Sequence, residues 1–292
     1  MKLALVIFFI TLTFVLKPDS STDDSSNRAT VARTAACEFD AGRREFVGDP
    51  REQAKCLLRP VGKGARLGPA LERLPEPLNT LIGNPATITK EQLRAYLQRT
   101  GISEDEVGGS LDKSLSETDD GLAARYFVIH DTSSPFYDGH NFPADIDASS
   151  WPGNNLSNWI QLKVAHVYVN RIGESLTAID LSRPWRATKK ENTLGKSLRG
   201  RFIHVECVQP RRSDPNGASG NDLVSPDEAF TTRQLNRLAL LYVAASVRGR
   251  KWLIPAFHAV IDAEFENAHD DPQGFDLEAW SKNVAVVIDP VK

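Results

Sequence analysis

The sequence predicts a layered fold of the α/β or α+β kind, and three observations carry that expectation. Four runs beyond residue 122 are rich in β-branched and aromatic residues and read as strands: ARYFVIHD (124–131), KVAHVYVN (163–170), SLTAIDL (175–181) and RFIHVECVQ (201–209). The apolar stretch LNRLALLYVAASV follows a T-x-x-Q capping signature at Thr231 and Gln234 and reads as a long helix ending near Gly249. The 292 residues, 41% hydrophobic and 25% charged, have ordinary globular usage and are enough for about two domains with a substantial core. Strands mixed with long helices must bury their apolar faces against one another in layers.

Taken from the N-terminus, Lys2 precedes an uncharged apolar run, residues 3–16, that stops at Lys17. It falls short of the roughly 20 residues a membrane-crossing helix needs. A positive start and a short apolar run fit the first two regions of a secretory signal; the alternatives are an uncleaved anchor or a buried helix. No clean small-x-small cleavage pattern follows. Thr34-Ala35-Ala36-Cys37 resembles the end of a lipoprotein signal but stands too far from the apolar run, so lipidation is not expected. Residues 17–36 are dominated by Ser, Thr, Asp and Ala and cannot repay their ordering entropy, so 1–36 reads as signal or anchor plus a flexible tether. In an oxidising compartment Cys37 and Cys56 can pair, leaving Cys207 inside a strand; the alternative is three reduced, buried thiols.

Residues 37–118 read as helical and polar, an accessory domain or an extension packed on the rest. Thr89 with Gln92, and Ser103 with Glu106, form capping boxes; Gly101 and Gly108-Gly109 close the two pieces. Turns are expected at Pro69, Pro75 and Pro77. Further along, Arg171–Glu174 fits a hairpin turn, FDLEAW (275–280) a helix start, and VAVVID a terminal strand or extended tail.

A net charge of -3 speaks against a protein held mainly by nucleic-acid phosphates. There is no HExxH and no close Cys/His cluster among the six histidines at 130, 140, 166, 204, 258 and 269. His130 and His258 each end an apolar run, where either a site or a hydrogen-bonded structural histidine fits. His140 is expected to face solvent and His166 to be structural. In RFIHVECVQ, His204 and Glu206 share one strand face. A carboxylate in so apolar a strand is paired, functional, or in water on an edge strand.

In order along the chain, YFVIHDTS, AHVYVNRIGE, FIHVECV, AFHAV and DDPQGFDLEAW resemble segments of the type-2 zinc-dependent N-acetylmuramoyl-L-alanine amidases, relatives of the peptidoglycan recognition proteins. The resemblance covers roughly residues 122–282. It implies an α/β fold with a mixed central sheet flanked by helices over 119–292, preceded by the small helical region 37–118. It makes His130, His258 and Asp271 ligands of Zn2+, leaving a fourth tetrahedral position for water, and Glu206 the general base. His269 occupies the slot where many catalytic members carry a lysine that steadies the oxyanion. Phe257 replaces a usual glycine, and the stretch from His258 to Asp271 is a few residues long. Asp270 and His269 are therefore alternatives to Asp271, which is favoured because it precedes Pro272. The implied partners are peptidoglycan or muropeptides, cut between N-acetylmuramic acid and L-alanine in the periplasm or outside the cell. No nucleic acid is expected, and membrane contact only through the N-terminal segment. The alternatives are a non-catalytic recognition module and a zinc amidohydrolase with another substrate.

Overall fold

The computed structural model of the chain describes residues 36–139, 141–214, 223–266 and 268–291. The expected signal and tether, apart from Ala36, and His140 lie outside the described residues. The described residues open with a short hairpin, β1 (Phe39–Asp40) and β2 (Glu45–Phe46), followed by helices α1 (Pro50–Leu57), α2 (Glu76–Leu81) and α3 (Lys90–Thr100). Then come β3 (Tyr126–Asp131), β4 (Phe136–Tyr137), α4 (Leu156–Trp159), β5 (Val167–Val169), β6 (Ser175–Thr177), α5 (Lys189–Leu194) and β7 (Phe202–Cys207). The last part holds β8 (Arg211–Ser213), β9 (Leu223–Val224), α6 (Thr232–Gly249), β10 (Ile254–Phe257), α7 (His258–Ile261) and α8 (Leu277–Val291).

The expected caps form. Thr89 and Gln92 close a reciprocal box at the start of α3, which ends on Gly101 at φ 70°. Thr231 and Gln234 do the same for α6, but that helix runs through Gly249 and stops on Arg250 in the left-handed region. The Ser103–Glu106 box caps only a single turn, Glu104–Glu106. Pro77 opens α2 instead of marking a turn, since proline at a helix start sacrifices no hydrogen bond. Cys37 and Cys56 are joined as a disulfide, and Cys207 is buried and free.

The central sheet has the order β10-β3-β7-β5-β6, with the first four strands parallel and β6 antiparallel to β5. This is the mixed sheet of an α/β fold. The turn between β5 and β6 is the expected hairpin. It needs Gly173, where φ is 82° and a Cβ would stand 2.8 Å from the Arg233 carbonyl oxygen. Register pairs Val128 with His204 and His130 with Glu206, so these four share one face while Phe127, Ile129, Ile203 and Val205 share the other. The second face packs on α6, where the Phe127 ring lies 5.4 Å from Tyr242. Tyr242 in turn meets Trp280 of α8 at 5.3 Å.

VAVVID is neither strand nor tail; it lies within α8. Its β-branched residues suggested a strand, yet Trp280, Val284, Val287, Ile288 and Val291 recur at helical spacing and bury that stripe. The helices of 37–118 contribute to the same core as the sheet, Leu57, Leu78 and Leu93 clustering with Phe127 and Leu241. They cover the N-terminal half of the first sheet face: the Tyr126 hydroxyl donates to Gln53 of α1 at 2.9 Å and accepts from the Phe46 amide at 2.8 Å. At the C-terminal ends of the parallel strands that face opens, the side on which such sheets place their sites.

Candidate metal centre

Three side chains converge at that open end. His130 lies near the C-terminus of β3, and His258 follows directly on its neighbour β10. Asp271 returns from the loop after α7 and is tied back by the Ala259 amide, which donates to its carbonyl at 2.8 Å. The two Nδ1 atoms stand 3.0 Å apart. Asp271 oxygens lie 3.0 Å from His258 Nδ1 and 3.5 Å from His130 Nδ1. All three residues are buried, and they form a group able to hold a metal ion. Zinc ligands at ~2.0–2.2 Å in a tetrahedron are roughly 3.4 Å from one another, so the donor set fits such an ion.

The hydrogen bonds behind the ligands say which atoms face inward. His258 Nε2 lies 3.0 Å from an oxygen of Asp262, a buried carboxylate that also accepts from the Lys189 and Lys190 amides at 2.7 and 3.0 Å. Nε2 is therefore the donor, and Nδ1 is the atom left for the centre. His130 Nε2 stands 3.0 Å from His204 Nδ1, and His204 Nε2 stands 3.2 Å from Glu191. Glu191 accepts from the Ala187 and Thr188 amides, so it is an acceptor for His204 as well. That leaves His204 Nδ1 a lone pair, makes His130 Nε2 the donor, and turns the His130 Nδ1 lone pair inward.

The electrostatics of the protein alone ask for a cation at this point. Burial would lower the pKa of His258, but Asp271 and Asp262 override it and hold it up at about 10, so a second proton sits there when no metal does. His130 is pushed down to about 3 by burial and by the charge on His258, despite Asp271. Asp271 stays ionised despite its burial because His258 and His130 hold its pKa below the usual carboxylate range.

Glu206 lies beside this group, its Oε2 3.9 Å from His130 Nδ1. β7 is interior to the sheet, which excludes the edge-strand alternative for this carboxylate. Burial, reinforced by the charges of Asp271 and Asp131, raises its pKa well above the ordinary value. Its side chain keeps 12% exposure, toward a cleft of about 560 Å³ that also reaches Lys163, Trp185 and Arg186. His269 stands at the mouth, 60% exposed, its ring stacked on His258 at 4.6 Å and its Nδ1 3.9 Å from Asp271. Asp270 turns aside and accepts from the Gln273 side chain at 3.4 Å.

His166 stays out of the centre. It accepts from the His204 amide at 3.0 Å, which makes its Nε2 the donor to the Arg183 carbonyl at 3.1 Å. Sequence reasoning missed Glu191 and Asp262. The signals were present: Thr188-x-x-Glu191 is a capping box, and Asp262 lies one helical turn after His258. Comparison with protein-family models, curated proteins and solved structures finds no match for this chain.

Proposed function

We propose that this chain is a zinc-dependent amidase acting on the bond between N-acetylmuramic acid and L-alanine, as the resemblance to the type-2 amidases implies. The observation that carries the reading is the meeting of two imidazole nitrogens and a carboxylate beside a desolvated glutamate on an open cleft. His130, His258 and Asp271 would hold the metal, which when bound supplies a Lewis acid that acidifies water and polarises a carbonyl.

Glu206 faces the ligand nitrogens from the adjacent strand and accepts the proton of the attacking water, then returns it to the departing amine. His269 stands at the cleft mouth, where a ring N–H can be offered to the carbonyl oxygen as negative charge develops. The Cys37–Cys56 pairing fits an oxidising compartment, which supports work at the cell envelope. Among the described residues no helix is long and apolar enough to cross a membrane.

The test is elemental analysis of the purified protein together with a muropeptide digest, with and without chelator. One equivalent of zinc and release of a peptide with a free L-alanine amino group are expected. Zinc without turnover would favour a recognition module, and cleavage of a different amide another amidohydrolase. Absence of any bound metal would refute the reading.

A further inference from the structure

Both candidate histidine ligands are backed by buried carboxylates, and one turn of chain grips both carboxylates. Residues 187–191 form that turn. The amides of Ala187 and Thr188 donate to Glu191 at 2.9 and 3.1 Å, and the Thr188 hydroxyl lies 3.0 Å from it. The next two amides, Lys189 and Lys190, donate to Asp262. From there one arm runs Glu191, His204, His130 and the other runs Asp262, His258. Glu191, His204 and Asp262 have no measurable exposure, so bulk water does not compete for any link. The Lys190 ammonium anchors the turn from behind, 2.7 Å from Glu264 and 4.8 Å above the Phe39 ring.

We propose that His204, Glu191 and Asp262 are positioning residues of the metal centre, two arms mounted on the 187–191 turn that hold both Nδ1 atoms toward one point. The proposal rests on the metal reading above. A histidine free to rotate or change tautomer presents its lone pair only part of the time. Outer-shell partners of this kind typically contribute 10–100-fold to metal affinity. His204 is the telling link because it must accept on one side and donate on the other. A glutamine can do both, its amide oxygen toward His130 and its NH2 toward Glu191, whereas a leucine fills the space and does neither.

The experiment measures Zn2+ affinity by competition with a chromogenic chelator, and the visible spectrum of the Co2+-loaded protein, for the parent, His204→Gln and His204→Leu. The parent is expected to bind tightly. His204→Gln should retain affinity within a few-fold and keep the parent's cobalt spectrum. His204→Leu should lose roughly 10–100-fold with an altered spectrum, since its ligand is released. Parental affinity in His204→Leu would overturn the proposal while leaving the metal reading intact. So would a loss in His204→Gln as large as that in His204→Leu, which would mark the residue as packing only. If His204→Leu does not fold, His204→Gln decides alone: retention of affinity and spectrum supports the proposal and a tenfold loss overturns it. A parent that binds neither ion overturns the metal reading and this proposal with it.

Discussion

Next to the candidate metal centre lies a buried ion pair whose two halves should not be equally costly to remove. Arg211 Nη2 donates to Asp131 at 2.7 Å, and both side chains have no exposure. Among the described residues, Arg211 Nε and Nη1 have no hydrogen-bond partner, and Asp131 is the only ion-pair partner of Arg211. Asp131→Ala leaves a buried guanidinium without its counter-charge. Breaking a buried pair from that side costs about 3–5 kcal/mol. The Gln273 and Ser133 amides, which donate to Asp131 at 3.0 and 2.9 Å, lose their acceptor too. Arg211→Met leaves a group that can become neutral. Burial pushes Asp131 up to about 6 even with Arg211 beside it, so without the arginine it takes up a proton more readily still. A smaller loss is expected, on the order of 1–2 kcal/mol, and it should shrink as the pH falls toward about 6 and level off below it, while the Asp131→Ala loss does not shrink. Urea unfolding of metal-free protein at neutral and mildly acidic pH measures both. Equal losses, or a larger loss for Arg211→Met, would refute the reasoning.

On the amidase reading, Glu206→Gln should keep metal content near that of the parent while hydrolysis of muropeptides falls by roughly 10²–10⁴; Asp271→Ala should lose metal and activity together, and elemental analysis with a turnover assay separates the two. Asp180 is held well below the usual carboxylate range; burial opposes this, but the Ser182 amide, Arg248 and Lys113 prevail. Its contribution to stability should therefore be present above the unfolded pKa of about 4 and lost as the pH falls through the lower folded value, so the urea midpoints of parent and Asp180→Asn should converge on acidification. A gap that stays constant to the lowest workable pH would contradict that sign. Cys56→Ser opens a cross-link of 19 residues' separation and should destabilise by about 3 kcal/mol, with thermal unfolding as the check and non-reducing mass mapping of the parent as control.

Helix caps and strand faces were legible because they depend on near neighbours. Thr89 and Thr231 start helices whatever the rest of the chain does, and strand parity correctly put His204 and Glu206 on one side of β7. What that parity could not tell is that His204 would face another histidine and a glutamate from α5, since those contacts span the fold. The misreading of VAVVID has the same origin: local β-propensity favoured a strand, and packing against α6 decided otherwise. The ligand set His130, His258 and Asp271 came from a resemblance, since no short spacing links a strand to residues so distant in sequence.

That distance has a consequence for biogenesis. His130 and His258 are 128 positions apart, and Asp271 comes later still, so a partial chain that stops short of residue 271 presents only a fragment of the donor set. A growing polypeptide therefore cannot assemble the candidate centre until residue 271 has been made, just ahead of α8. On the zinc reading, an exported chain would acquire its metal where folding finishes, on the far side of the membrane, and the zinc supply of that compartment would set how much active protein accumulates.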